Sequence, residues 1–373
     1  MALCRSHHAA SQSYGTQVDI RHTAPEAPDR EKFASLMLRI GIIGSGFGSY
    51  GLMPAFRTVK GCTVTALCGS KREQMMRYFK TIGFTNLYAD WKMMLEHEKL
   101  DAIAIAVTPD AQYEIAKAAI AKGIHVFAEK PLAATLSQAK ELVSLAKKKK
   151  ITHGIDFLFP EIAEWKTVKE MLQKRTLGKL LHLSVQWDFL SYDIKHKHSS
   201  WKTASKEGGG ALAFYFSHGL HYLEHFAGSI KKIKCLFTHS KESPNGAEIG
   251  ADLLLSFKNG ITGTAHVCCN SPGLTRHQLI FYCENGVIVL ENGEGIVDGF
   301  TVVVHTADGT QTIRVKKDKD RKNEGERVKI VRKLAERFVD ACGTKKQMTP
   351  SFHEGLRVQE LIEMCHRSPL PAE

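Results

Sequence analysis

"LRIGIIGSGFGSYG", Leu38 to Gly51, begins as a mainly apolar run and passes directly into glycines. The run Leu38–Ile43 predicts a buried strand. Gly44-x-Gly46 at its end lets the backbone turn tightly and approach a pyrophosphate at the N-terminus of a following helix. Gly44, Gly46, Phe47 and Gly48 are therefore candidates for holding a dinucleotide. The third position of the fingerprint is Ser49, small but not glycine, and a shifted register, Gly46-x-Gly48-x-x-Gly51, fits as well. The motif gains its meaning from the residues C-terminal to it. Strands predicted at Thr63–Cys68, Ala102–Val107, His125–Ala128 and Thr152–Ile155 alternate with helices starting near Asp90, Asp110 and Thr135, the last with a capping box, Thr135-x-x-Gln138. Such alternation predicts an α/β fold, with a doubly wound parallel sheet of Rossmann type over residues 37–155.

On either side of this domain the pattern changes. Residues 1–36 mix small, polar and charged side chains without an apolar period and read as a disordered extension. Met37 stands directly before the first strand, so the extension is open to explanation by start-site choice. Residues 156–373 predict a second, α+β domain: a helix at Ile162–Lys174, a strand at Leu180–Trp187, a basic loop and a histidine-bearing helix. Several strands follow, punctuated by Asn259-Gly260, Asn285-Gly286, Asn292-Gly293 and Asp308-Gly309. These dipeptides supply positive φ in tight hairpins, so a mainly antiparallel open sheet is expected. Two helical segments close the chain.

Composition narrows the function classes. Of 373 residues, 43% are apolar and 24% charged, and no window reaches the length of a bilayer span. Lys and Arg number 51 against 39 acids, but the basic runs at Ala146–Lys150 and Arg314–Lys322 lack the interleaved aromatics that stack on bases. They read as solvated faces, and a nucleic-acid partner is not expected. Nine cysteines without C-x-x-C spacing suggest neither a zinc ribbon nor a disulfide framework, which fits a reducing, cytoplasmic setting.

The end of the second strand bears on cofactor choice. An acid there would hold the ribose 2′-hydroxyl of NAD. No acid occurs from Thr63 to Arg72; Ser70, Lys71 and Arg72 instead offer a hydroxyl and two cations suited to a 2′-phosphate. NADP(H) is expected over NAD(H), unless Lys71 and Arg72 merely begin a solvated helix.

Taken together, "GSGFGSYGLMPAF", "VTP", "FAEKPLA", "SSWK" and "GGGAL…SHGLH" resemble the Gfo/Idh/MocA oxidoreductases, from about Leu38 to "PSFHEGLRVQELIE" near the C-terminus. Glu129-Lys130-Pro131, just after a Rossmann strand, is the most specific element. The resemblance implies an active-site role for Lys130, often with a cis peptide before the proline, and a cofactor-lining role for Thr108, Pro109 and Glu129. It implies a place near the nicotinamide for Trp201 and Lys202, where many members have Trp-Arg. His218 matches the histidine of an Asp-x-x-x-His pattern, but the acid position is Phe214, and His221 stands where many members have Asp. An acid would orient the imidazole and raise its basicity; Phe214 can do neither. The resemblance also points to a homodimer or homotetramer.

The helix bearing His218, His221 and His225 allows three readings: a zinc site, a catalytic His218, or packing. Helical spacing offers only approximate metal geometry and no second shell is evident, so no metal is expected. Lys130 and His218 are the catalytic candidates and, with His221, the substrate-lining ones. The expected function is hydride transfer between NADP(H) and a secondary alcohol or ketone of a sugar, cyclitol, sugar phosphate or nucleotide sugar. Lys130 would hold or polarise the oxygen and His218 would exchange the proton. A non-catalytic NADP-binding sensor is the alternative.

Overall fold

β1 (Leu38–Ile43) lies in the middle of its sheet, since Ile40, Ile42 and Ile43 are buried. The computed structural model describes residues 37–69, 73, 77, 81, 83–317, 321 and 324–368. The extension read as disordered, and the triplet Ser70, Lys71 and Arg72, lie outside the described residues. The first sheet has six parallel strands in the order β3-β2-β1-β4-β5-β6. The others are β2 (Cys62–Cys68), β3 (Leu87–Tyr88), β4 (Ala102–Ile105), β5 (His125–Ala128) and β6 (His153–Ile155). Helices α1 (Met53–Arg57), α2 (Trp91–His97), α3 (Pro109–Ala121) and α4 (Leu136–Lys149) alternate with them. The chain leaves β1 toward β2 and returns to its other side at β4, so Gly44 stands at the switch point where open α/β sheets bind ligands. The expected capping box forms: Thr135 Oγ1 accepts from Gln138 N at 3.2 Å, and Gln138 Oε1 accepts from Thr135 N at 3.1 Å.

The second sheet has eight strands in the order β14-β13-β12-β11-β7-β10-β9-β8. They are β7 (Leu180–Asp188), β8 (Ile230–Thr238), β9 (Gly250–Phe257), β10 (Thr262–Cys268), β11 (Arg276–Cys283), β12 (Gly286–Asn292), β13 (Thr301–Thr306) and β14 (Gly309–Thr312). Every pairing is antiparallel except β7 with β10, which run parallel. α5 (Ala163–Gln173) and α6 (Ser217–Ala227) belong to the buried side, where Trp165 meets Tyr222 at 5.0 Å, Phe226 at 5.7 Å and Phe300 at 5.3 Å. Alternation puts Leu183, Val185, Ala265 and Val267 on that side and leaves Ser184, Gln186, Thr264 and His266 half-exposed on the other.

Three of the four Gly-containing dipeptides lie between adjacent strands as expected; Asn292-Gly293 does not form a tight hairpin. The side chain of Asn292 instead organises the longer β12–β13 loop, donating to Gly295 O and Asp298 O and accepting from Glu294 N and Gly295 N. The closing helices, α7 (Glu326–Thr344) and α8 (Phe352–Arg367), return to the first sheet: Phe338 of α7 packs edge-on against Phe56 and Phe127, and Gln359 of α8 donates to Ala133 O. The two sheets are thereby joined by more than the chain between them.

Candidate active site

The glycine loop is shaped by backbone contact. Gly44 has φ +134°, and a Cβ there would drive into the carbonyl oxygen of Ala106 on the neighbouring strand end, so glycine is required. Ser49, in the third fingerprint position, is buried and donates to Gly44 O at 3.1 Å, bracing the turn that a glycine would otherwise permit. Gly51 leaves room for the ring of Phe47. Above Gly46 there is nothing within 4 Å of where a Cβ would stand. The loop therefore has the form a dinucleotide pyrophosphate needs: a tight turn at the strand end, open space at its second glycine, and a helical turn beginning at Gly48.

Lys130 follows β5 in a turn held by one buried side chain. Gln112 of α3 donates through Nε2 to the carbonyls of Glu129 (2.6 Å), Pro131 (2.9 Å) and Leu132 (3.2 Å), and accepts from Glu129 N at 3.1 Å. Sequence reasoning missed Gln112, because a glutamine on a helix after "VTPDA" carries no signal of what it will face. The Lys130–Pro131 peptide is cis, as the resemblance implied. Thr108 stands exposed at the N-cap position of α3 without a capping bond from its side chain, and Pro109 is buried as the first residue of that helix.

Lys130 Nζ donates to Phe214 O at 2.9 Å and lies 4.2 Å from the centre of the Phe214 ring. Lys202 Nζ lies 5.2 Å from the same ring and 3.8 Å from Asp193, while Trp201 meets the ring edge-on at 4.9 Å. The residue in the acid position is thus an aromatic ring within reach of two ammonium groups, a cation–π arrangement. Its backbone is available because residues 211–215 form a wide helical turn before α6 starts at Ser217. The glycines preceding it are packed closely: a Cβ on Gly209 would strike the Trp201 carbonyl, and one on Gly210, at φ +104°, the Glu248 carboxylate.

Burial lowers the Lys130 ammonium to a pKa of about 8; Glu129 and Asp156 pull it upward, and Arg327 and Lys202 push it further down. His218 is buried, its Nδ1 has no hydrogen-bond partner, and its ring lies edge-on to Phe157 and Phe159. Burial, then the nearby Lys130 charge, hold it well below the ordinary imidazole range, so the neutral ring is favoured. Asp156, directly after β6, is 1% exposed, and neither of its oxygens meets a partner in hydrogen-bonding geometry. Burial and the adjacent Glu129 raise its pKa well above the carboxylate range. Neither Asp156 nor Arg327, which also acts electrostatically on Lys130 and His218, was singled out from sequence.

The histidines of α6 share the helix but do not converge. His221 stacks on Phe157 at 4.3 Å, and His225 lies beyond it at 6.5 Å. Among the described residues no group of His, Cys, Asp or Glu is arranged to hold a metal. His221 and His225 line a cleft of about 600 Å³ with Lys169, Glu224, Arg337 and Arg357. Neither Lys130, His218 nor the glycine loop lines that cleft, so it lies apart from the catalytic candidates.

Comparison with known proteins agrees with the fold. Residues 38–157 match the oxidoreductase family model with an NAD-binding Rossmann fold, and residues 165–289 match the GFO/IDH/MocA C-terminal domain. An uncharacterized oxidoreductase of Synechocystis is 25% identical over 347 residues, 89% of this chain and 94% of that one. Levoglucosan dehydrogenase of Pseudarthrobacter phenanthrenivorans is 24% identical, covering 73% of this chain and 72% of its own. A solved levoglucosan dehydrogenase in complex with NADH and L-sorbose has a TM-score of 0.77 at 20% identity, covering 90% of this chain and 97% of that one. A 3-ketoreductase from Actinomadura kijaniata, solved with TDP-benzene and NADP, has a TM-score of 0.73 at 18% identity, covering 90% and 98%.

Proposed function

The chain belongs to the Gfo/Idh/MocA oxidoreductase family, and from that premise we propose a dehydrogenase or reductase acting on a secondary alcohol or ketone of a carbohydrate-like substrate, with NADP(H) preferred. The observation that carries this reading is the bond from Lys130 Nζ to Phe214 O, which brings the turn after β5 to the head of the histidine helix. A bound dinucleotide supplies the hydride chemistry. The residues around it manage the substrate oxygen and its proton.

The electrostatics favour a division of labour different from the one the sequence suggests. With its pKa lowered to about 8, Lys130 can both donate and accept a proton near neutrality. His218, held neutral by burial and without an acid partner, is suited to hydrogen-bonding the substrate hydroxyl and orienting it. Phe214 in the acid position leaves Lys130 in place at its carbonyl, which favours catalysis over a sensor that only binds the dinucleotide.

Preference for NADP(H) rests on Ser70, Lys71 and Arg72 and the lack of an acid before them. Relatives solved with NADH and with NADP both occur, so the sequence carries this point. The test is a titration of NADPH and NADH by nicotinamide fluorescence, followed by a screen of sugars, cyclitols and their phosphates for absorbance change at the nicotinamide band. Tighter NADPH binding and turnover of a polyol are expected. Replacing Lys71 and Arg72 by Ala should weaken NADPH about a hundredfold or more and leave NADH unchanged. Equal affinities in the unaltered protein would remove the cofactor preference, and failure to bind either dinucleotide would overturn the function.

A further inference from the structure

Arg327 is the second residue of α7, far along the chain from the glycine loop, yet its guanidinium carbon lies 4.6 Å from the centre of the Phe47 ring. The neighbouring Glu326 is committed elsewhere: its Oε1 accepts from the backbone N–H groups of Ile296, Val297 and Asp298 at 2.9, 2.6 and 2.7 Å. That fixes the first turn of α7 to the β12–β13 loop and directs Arg327 to the opposite sheet. Other arginines of the closing helices have carboxylate partners: Arg332 with Glu324 at 2.8 Å, Arg337 with Glu161 at 2.7 Å and Arg357 with Glu224 at 2.9 Å. Arg327 has none among the described residues. Stacking on a ring occupies the flat face of a guanidinium and leaves its N–H edge free.

The Arg327 charge also acts on Lys130, His218 and Asp156, so it lies within electrostatic reach of all three. Around it stand Lys130 and Lys202, the carboxyl of Asp156, whose pKa burial raises, Glu129, which acts on both Lys130 and Asp156, and Asp193, which contacts Lys202 and His198. Phe47, on whose ring the guanidinium lies, directly follows Gly46, where the space a Cβ would take is open. An unpaired, part-buried guanidinium in such a place is stabilised by an anion with planar or tetrahedral oxygens, which it can grip bidentately.

We propose that Arg327 is an anion-binding residue, reaching from α7 over the glycine loop to hold a phosphate or pyrophosphate group. The assignment rests on the oxidoreductase reading, and the same chemistry is presented by the pyrophosphate of a dinucleotide and by a phosphate on the substrate. Arg327→Ala and Arg327→Lys separate the sources. If the group is the pyrophosphate, NADH, NADPH and ADP-ribose all weaken by the same factor in the Ala variant, about ten- to a hundredfold, with partial recovery in the Lys variant. If it belongs to the substrate, the dinucleotides bind as before, but inorganic phosphate no longer raises the melting temperature of the dinucleotide-loaded Ala variant as it does that of the unaltered protein. A residue that only staples Phe47 behaves otherwise: the ligand-free Ala variant melts lower, while dinucleotides and inorganic phosphate act on it as on the unaltered protein, and that result would overturn the proposal. Inorganic pyrophosphate keeps the two readings apart. If it stabilises the unaltered protein but not the Ala variant, the Arg327 site stands even in a protein that binds neither dinucleotide.

Discussion

Lys130 and His218 are both titratable and both pressed toward their neutral forms, but to different degrees, and this difference sets what each residue can do. Lys130, at about 8, changes protonation within the working range, so reduction, which consumes a proton, should slow as the pH rises through about 8. Oxidation, which needs the free amine, should quicken over the same interval. Lys130→Ala should lower kcat by about 10² to 10⁴ and abolish this inflection, with dinucleotide affinity little changed. An inflection that survived in the variant would assign the proton to another group. His218→Gln, which keeps a hydrogen-bonding edge, should cost no more than about tenfold and leave the inflection where it was. Phe214 illustrates the limit of reading such a site from sequence. Its side chain marks only the loss of an acid; its carbonyl, which receives the Lys130 ammonium, has no sequence signature.

Local rules governed the elements whose placement was legible in advance. The strand before the glycines, the Thr135 capping box and the glycine run before the histidine helix each depend on neighbours close in sequence, where propensity and spacing carry the information. Gln112, Asp156 and Arg327 escaped because their roles are set by elements distant in the chain. Asn292-Gly293 misled for a local reason: the dipeptide suits a hairpin, but its asparagine side chain satisfies a loop of several residues instead. Gln112 is the element-scale case that can be tested. It is 1% exposed and bonds three carbonyls and one N–H of the turn carrying Lys130. Gln112→Ala leaves those groups without it, at a cost of about 1 to 3 kcal/mol in stability. Because the turn then loses its anchor, kcat should fall more than the affinity for dinucleotide; a melting temperature and a kcat both unchanged would show that α3 does not hold the turn.

For the molecule as a whole, histidines buried in their neutral form tie stability to pH. Burial is the main cause that lowers His153, His221 and His277 to about 3 and His225 to about 4. The unfolded chain takes up these protons near pH 6.5 and the folded one far lower, so their contribution is complete above about 6.5 and is lost as the pH falls below it. Urea unfolding between pH 8 and 5 should become easier on the acid side, by about 1.4 kcal/mol per pH unit for each histidine engaged. His277→Gln, which can still bond Tyr222, should remove about one proton from that slope. The outer face of the second sheet makes a different demand. Across it Leu254, Thr264, Ser184, Ile280, Val289 and Val303 stand in register, one from each of six adjacent strands, forming an uncharged row. Leu254 is 53% exposed and Tyr282, near the row, 40%. Charged groups stand two to four residues further along the strands, where His266 contacts both Asp188 and Asp252 and Arg276 contacts Asp188. An uncharged, largely aliphatic row with a charged margin suits a protein interface. A two-fold axis through the row would bury it against a second copy. The protein should therefore run as a dimer, or as a tetramer built from that dimer, in light scattering at micromolar concentration. Ile280→Asp places a charge at the centre of the row and should release monomers that still bind dinucleotide, since the residue is remote from the glycine loop in the fold. A monomeric unaltered protein would refute the assembly, and an Ile280→Asp variant that remained fully dimeric would move the interface to another surface.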